Sequence, residues 1–133
     1  MKRSIFLVSF LAVFLSGCAS TQTANEVKEA QGQGVSRVYQ YAFDPVYNAA
    51  LAAAKTKELE VVENDKAKGR LLLSHGTTMM SWGEKIAVFV TPVSDTSTKV
   101  EVVSKPVMST LNFPPDWPKI LLDRIDTELQ AKK

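Results

Sequence analysis

Apolar and polar positions fall into three regimes along the chain. From Ile5 to Leu15 every residue is apolar except Ser9. Such a run is too short for a stable membrane span, which needs roughly 20 apolar residues. Residues 18–34 then carry almost no large apolar side chain, Val27 being the exception. A stretch of that kind cannot offset its ordering entropy by burial and reads as a flexible tether, with room for a short helical turn around Glu26 to Ala30. From residue 35 onward, short alternating and helical periods take over. Val35 to Phe43 reads as a strand with Tyr39, Tyr41 and Phe43 on its buried face.

Asp44-Pro45 predicts a helix start, with the carboxylate as N-cap and proline at the first helical position. Tyr47, Ala50, Leu51 and Ala54 follow at helical spacing to about Lys57. Leu59–Glu63 and Arg70–His75 read as strands joined by a polar turn. Lys85–Thr91 alternates with Ile86, Val88 and Val90 on one face and Ala87, Phe89 and Thr91 on the other. Thr98–Lys105 returns after a second polar turn. Two such pairs predict an antiparallel meander. Asp116 caps a last helix with Pro118 in its first turn, and Trp117, Leu121, Leu122, Ile125 and Leu129 form its apolar stripe. The order β-α-β-β-β-β-α predicts an α+β two-layer sandwich, an antiparallel sheet of four to five strands with two helices on one face. One face of such a sheet can stay in contact with water.

The start of the chain adds an address. Met1-Lys2-Arg3 is basic, the apolar run follows, and small residues precede Cys18. This is the secretory pattern. Leu15-Ser16-Gly17-Cys18 resembles the lipobox of bacterial lipoproteins. The resemblance implies cleavage before Cys18, a lipid thioether on that cysteine and acylation of its amino group, palmitate among the acyl chains. The domain plan is then a signal peptide over 1–17, a lipidated flexible tether over 18–34 and a single domain over 35–133. Cys18 is the only cysteine, so it has no internal disulfide partner, and lipidation accounts for it. Two or more acyl chains hold a protein firmly on a membrane. Ala19 follows the cysteine where aspartate signals inner-membrane retention in the lipoprotein family. The implied location is the outer membrane, facing the periplasm.

Charge narrows the partners. Lys2 and Arg3 leave with the signal, so 14 basic residues remain against 14 acidic ones. With a formal net charge of zero there is no basic excess to drive phosphate binding, and nucleic acid is excluded as a partner class.

The stretches Phe43-Asp44-Pro45-Val46-Tyr47-Asn48-Ala49-Ala50-Leu51 and Leu59-Glu60-Val61-Val62-Glu63-Asn64-Asp65, with Lys68-Gly69 before the next strand, resemble small periplasmic lipoproteins carrying a domain of unknown function. Their layout is similar to the helix-grip domains of the lipoprotein component C of the outer-membrane barrel assembly machinery. Over residues 35–133 this resemblance implies a non-enzymatic protein-binding or scaffolding module. The alternative is a small-ligand or lipid carrier, its cavity between helix and sheet.

No catalytic or metal site is legible, and no cofactor is called for. His75 can be drawn with Ser74 or Ser81 and an aspartate, but no nucleophile-elbow motif supports that. One histidine and one cysteine are too few for a zinc site. Asp65, Asp95 and Asp123 read as solvated turn or helix-face charges. Two apolar loops stand out: 76–84 with Met79, Met80 and Trp82, and 106–115 with Met108, Leu111 and Phe113. Strand direction in a meander places both at the same end of the sheet. They either lid the core or form a contact surface for an envelope protein, glycan or lipid, with Trp82 as anchor.

The address is directly testable. Cys18→Ser should release the protein from membranes or leave it unprocessed. A correctly cleaved Cys18→Ser chain that still fractionates with membranes would contradict lipidation.

Overall fold

The computed structural model describes residues 15–110 and 113–133, with side chains described from residue 21 onward. Helix α1 (Leu15–Glu29) leads into strand β1 (Val35–Tyr39) and helix α2 (Phe43–Ala54). Strands β2 (Leu59–Asp65), β3 (Arg70–His75), β4 (Glu84–Ser94) and β5 (Ser97–Pro106) follow, then helix α3 (Trp117–Ala131). The strands form one antiparallel sheet in the order β1-β5-β4-β3-β2. The α+β class and the meander are as the alternation predicts. Helix α2 carries the chain from one edge of the sheet to the other.

The inner face holds the main core. Leu71, Leu73, Ile86, Val88, Val90, Val100 and Val102 meet Val46, Tyr47 and four alanines of α2, and Trp117, Leu121, Leu122, Ile125 and Leu129 of α3. Leu71 pairs with Val88 and Val88 with Val102, so directly opposed residues stack in rows across the sheet. Ala49 and Ala53, outside the stripe of Tyr47, Ala50, Leu51 and Ala54, are buried together with Ala50 and Ala54. Their small size lets α2 lie close over the strands. Tyr39 is buried and donates its hydroxyl to the Leu122 carbonyl at 3.1 Å. Burial pushes that phenol's pKa up.

Three local expectations change. Helix α2 begins at Phe43 behind Ala42, so Asp44 lies inside the first turn and its side chain makes no cap. It pairs instead with Lys66 at 3.1 Å while still facing the positive end of the helix. Strand β1 stops at Tyr39, ahead of Tyr41 and Phe43. Strands β4 and β5 run further toward each other and close through Asp95-Thr96, with a register shift between Pro92 and Ser94. The Asp116 cap of α3 is as predicted, its carboxylate accepting the Lys119 backbone N–H at 3.2 Å.

The larger correction concerns residues 18–34. In place of the expected flexible tether, α1 runs to Glu29 and docks on the outer face of the sheet. There Val27 and Ala30 are buried against Leu72, Ala87, Phe89 and Val103. The outer face is apolar at its centre, and α1 keeps it from water. Polar ties fix the helix. Lys28 pairs with Glu63 at 3.4 Å, Arg70 donates to the same carboxylate at 2.6 Å, and the Gly32 N–H donates to buried Glu101 at 2.7 Å. A register shift between Val61 and Glu63 turns Glu63 toward this face. Arg70 foremost, then Lys28, holds the Glu63 carboxyl below its ordinary range. A lowered folded pKa contributes stability above the unfolded value, and this is lost as pH falls through the folded one. The pair is partly exposed, so screening keeps it within about 1 kcal/mol.

Val27 is the side chain on which α1 docking turns. Val27→Asp should lower stability by about 3 kcal/mol through a buried unpaired charge, read as a fall in Tm. An unchanged Tm would contradict the docked helix.

Candidate functional site

The loop between β3 and β4 and the loop before α3 meet at one end of the sheet. Register sets this: His75 lies opposite Glu84, and Glu84 opposite Pro106. The two loops are then stitched together by backbone. Val107 donates its N–H to the Gly83 carbonyl at 2.9 Å, and Phe113 donates to the Met80 carbonyl at 2.8 Å. Inside the first loop, Thr78 N–H donates to the Ser81 carbonyl at 2.7 Å and the Thr77 hydroxyl to the Trp82 carbonyl at 3.1 Å. Gly83 has φ +96°, and a Cβ there would meet the His75 carbonyl oxygen at 2.7 Å. Glycine is therefore required where the loop re-enters the sheet.

Met79 stands fully in solvent, Phe113 and Met80 are mostly exposed, and Trp82 and Met108 are about half exposed. Leu111, the sixth residue of the expected surface, lies outside the described residues, as does the side chain of Cys18. A hollow of about 180 Å³ opens between Thr78, Met79, Ser81 and Trp82. Met79, Met80, Trp82, Met108 and Phe113 are turned outward and do not lid the core. Met and aromatic side chains offered together form an adaptable contact surface.

Beneath this surface lies a polar cluster that the sequence reading passed over. Glu84 is completely buried. One of its oxygens accepts the Ser81 hydroxyl, and the other lies 2.5 Å from His75 Nδ1 and 3.3 Å from Trp117 Nε1. With its proton on Nδ1, His75 donates to the carboxylate, so three donors converge on one acidic group. The Ser81 hydroxyl also accepts the Gly83 N–H at 3.0 Å. The His75 ring sits 4.9 Å from that of Trp117. The cluster ties the ends of β3 and β4 to the first turn of α3 and holds the loop from below. Its signal was present: Glu84 is in phase with Ile86, Val88 and Val90, so a charge at that position must be buried and needs partners.

The chemistry this arrangement can do is limited by who bonds whom. Ser81 gives its proton to Glu84 and not to the imidazole, so His75 is not placed as its base. Ser74 accepts from Lys85 at 2.9 Å. Asp65 accepts the Lys68 N–H, and Asp123 is engaged with Lys119 and Arg37, away from His75. Among the described residues no group of three or more His, Cys, Asp or Glu could hold a metal ion. Two further hollows exist. One of about 450 Å³ at the polar-turn end is lined by Gln31, Phe43, Lys66–Gly69 and Val90–Pro92. One of about 250 Å³ lies between α2 and α3, beside Thr56 and Arg124.

No known family model matches the chain, and no curated protein matches it significantly. Among solved structures it is similar to the di-domain ARO/CYC BexL, at 15% identity and TM-score 0.44, over 74% of this chain and 42% of that one. It thus spans about two fifths of that protein's length. A protein from Chromobacterium violaceum matches at 15% identity and TM-score 0.43, over 74% of this chain and 93% of its own. Zhui aromatase/cyclase from a Streptomyces species matches at 9% and 0.39, over 74% and 86%. At these values no activity and no residue role passes from them to this chain.

The buried cluster and the exposed surface should separate by mutation. Glu84→Ala strands three donors and should cost about 3 kcal/mol in denaturant unfolding. Trp82→Ala should cost less than about 1 kcal/mol, as for an exposed side chain. A Trp82→Ala chain that fails to fold would make Trp82 core.

Proposed function

We propose that the protein is a non-enzymatic binding module of the cell envelope. Lipid on Cys18 holds it at the periplasmic face of the outer membrane, and it meets another envelope component through the joined loops 76–84 and 106–115. The observation that carries this reading is the exposure of Met79, Met80, Trp82, Met108 and Phe113 on two loops bonded to each other. Contiguous exposed apolar area commonly marks a contact site. The filled layer between helices and sheet supports it too, since Trp117, Leu121, Leu122 and Ile125 occupy the space a carrier would leave open. The resemblance of residues 35–133 to helix-grip binding domains agrees.

A small-ligand carrier is the second reading. The hollow of about 450 Å³ favours it, being within the usual range of ligand sites. It lies at the opposite end of the sheet, between the start of α2 and the turns after β2 and β4, with Lys66 and Lys68 at its rim.

Photo-crosslinking in intact envelopes discriminates between the two ends. A crosslinking residue at Met79 or Phe113 should yield adducts, and one at Val93, exposed at the other end, should not. Adducts from Val93 alone would overturn the loop-end reading.

A further inference from the structure

We propose that the component met by the loop end is the membrane surface itself, a bilayer interface carrying anionic headgroups. This rests on the reading of that end as the contact site and of Cys18 as the anchor.

The argument starts from the direction of α1. Lys28 reaches Glu63, which lies opposite Leu72 in β3. Gln31, three residues on, lines the hollow with Lys66–Gly69, Thr91 and Pro92, at the polar-turn end. The helix therefore climbs toward the polar turns, and its N-terminal half points to the loop end. Val27 and Ala30 pack against Leu72, Ala87, Phe89 and Val103, and the neighbouring Lys28 reaches Glu63 in the row of Leu72, Ala87 and Val103. That row is three residues from the strand ends at His75, Glu84 and Pro106, roughly 10 Å. Cys18 precedes Val27 by nine helical residues, roughly 13 Å along the axis. The anchor and the apolar loops thus come out at the same level.

Rigidity turns this coincidence into contact. A flexible tether would let the domain float, whereas a docked helix beginning at the lipid leaves no slack. The side chains at that level suit an interface. Trp82 and Phe113 are of the kind that settles at headgroup depth, and methionines are tolerated there. On the outer face, in the row nearest the loops, Lys85 lies directly opposite Lys105. Among the described residues neither is ion-paired to a carboxylate. Two like charges facing each other are unfavourable alone, and an anionic headgroup between them relieves this. Glu60, opposite Ser74, ends the same row two strands from Lys85, whereas at the opposite end Lys66 and Lys68 are paired with Asp44 and Asp65.

The test uses the mature chain, purified from membranes and reconstituted in vesicles of phosphatidylethanolamine and phosphatidylglycerol with brominated acyl chains. Trp117 is buried, so the emission lost in Trp82→Phe reports Trp82. Brominated lipid should quench that emission by at least half, and aqueous acrylamide should quench it weakly. As a second measurement, Phe113→Glu with Met80→Glu in the lipidated chain should at least halve the quenching of Trp82 by brominated lipid while the anchor keeps the protein on the vesicles. Both positions are exposed, so the fold is retained. Trp82 open to acrylamide and untouched by brominated lipid would overturn the proposal. If solubilised envelope proteins then shield Trp82, the loop end is a contact site for protein and only the membrane assignment falls. If nothing shields it, the contact reading falls as well.

Discussion

A sheet with apolar side chains at the centre of both faces cannot leave either face in water. Leu72, Ala87, Phe89 and Val103 make the outer centre of this one as demanding as the inner. Uncovered, the three larger side chains would forfeit on the order of 5 kcal/mol. A domain of this size has only about 5–15 kcal/mol in total. Helix α1 meets that demand with Val27 and Ala30, assisted by Lys28 and the Gly32 N–H. The segment expected to link a lipid to the domain is thereby part of the domain. Everything about how the protein would stand on a membrane follows from that docking.

The second constraint is at the loop end. A fully buried glutamate at the first position of β4 would be severely destabilising alone. Ser81, His75 and Trp117 converge on it. The donors come from the loop, from β3 and from α3, so satisfying one charge also fixes three elements relative to one another. The loop above is stiffened from inside, which leaves Met79, Met80 and Trp82 outside without letting the loop collapse. Apolar side chains held outward on a braced loop are pre-organised for contact.

Much of this was legible in residues. Strict alternation in Lys85–Thr91 and Thr98–Lys105 marked the central strands, and the Asp116 cap with the Trp117–Leu129 stripe marked α3. The meeting of the two apolar loops followed from strand direction alone. What escaped was information carried by a second face. Ala87 and Phe89 alternate onto the second face of β4, where Val103 joins them, and an apolar patch there needs a cover. Val27, the lone large apolar residue of its stretch, was the answer. Glu84 escaped because strand alternation was read from Lys85 on. The polar end of α2 misled as well: Asp44-Pro45 has the composition of a cap, but the helix starts two residues earlier, behind Ala42, with Asp44 already inside and its carboxylate drawn to Lys66.

The central claim is that the stretch between Cys18 and β1 carries a helix docked on the outer face of the sheet. Amide hydrogen exchange on the mature chain, followed at single-residue resolution, tests it most directly. The account predicts that amides of residues 24–30 exchange slowly, approaching the protection of Ala87 and Phe89 in β4, because their release requires undocking from the sheet. Complete exchange of residues 24–30 at the rate of an unstructured peptide, with β4 still protected, would contradict it.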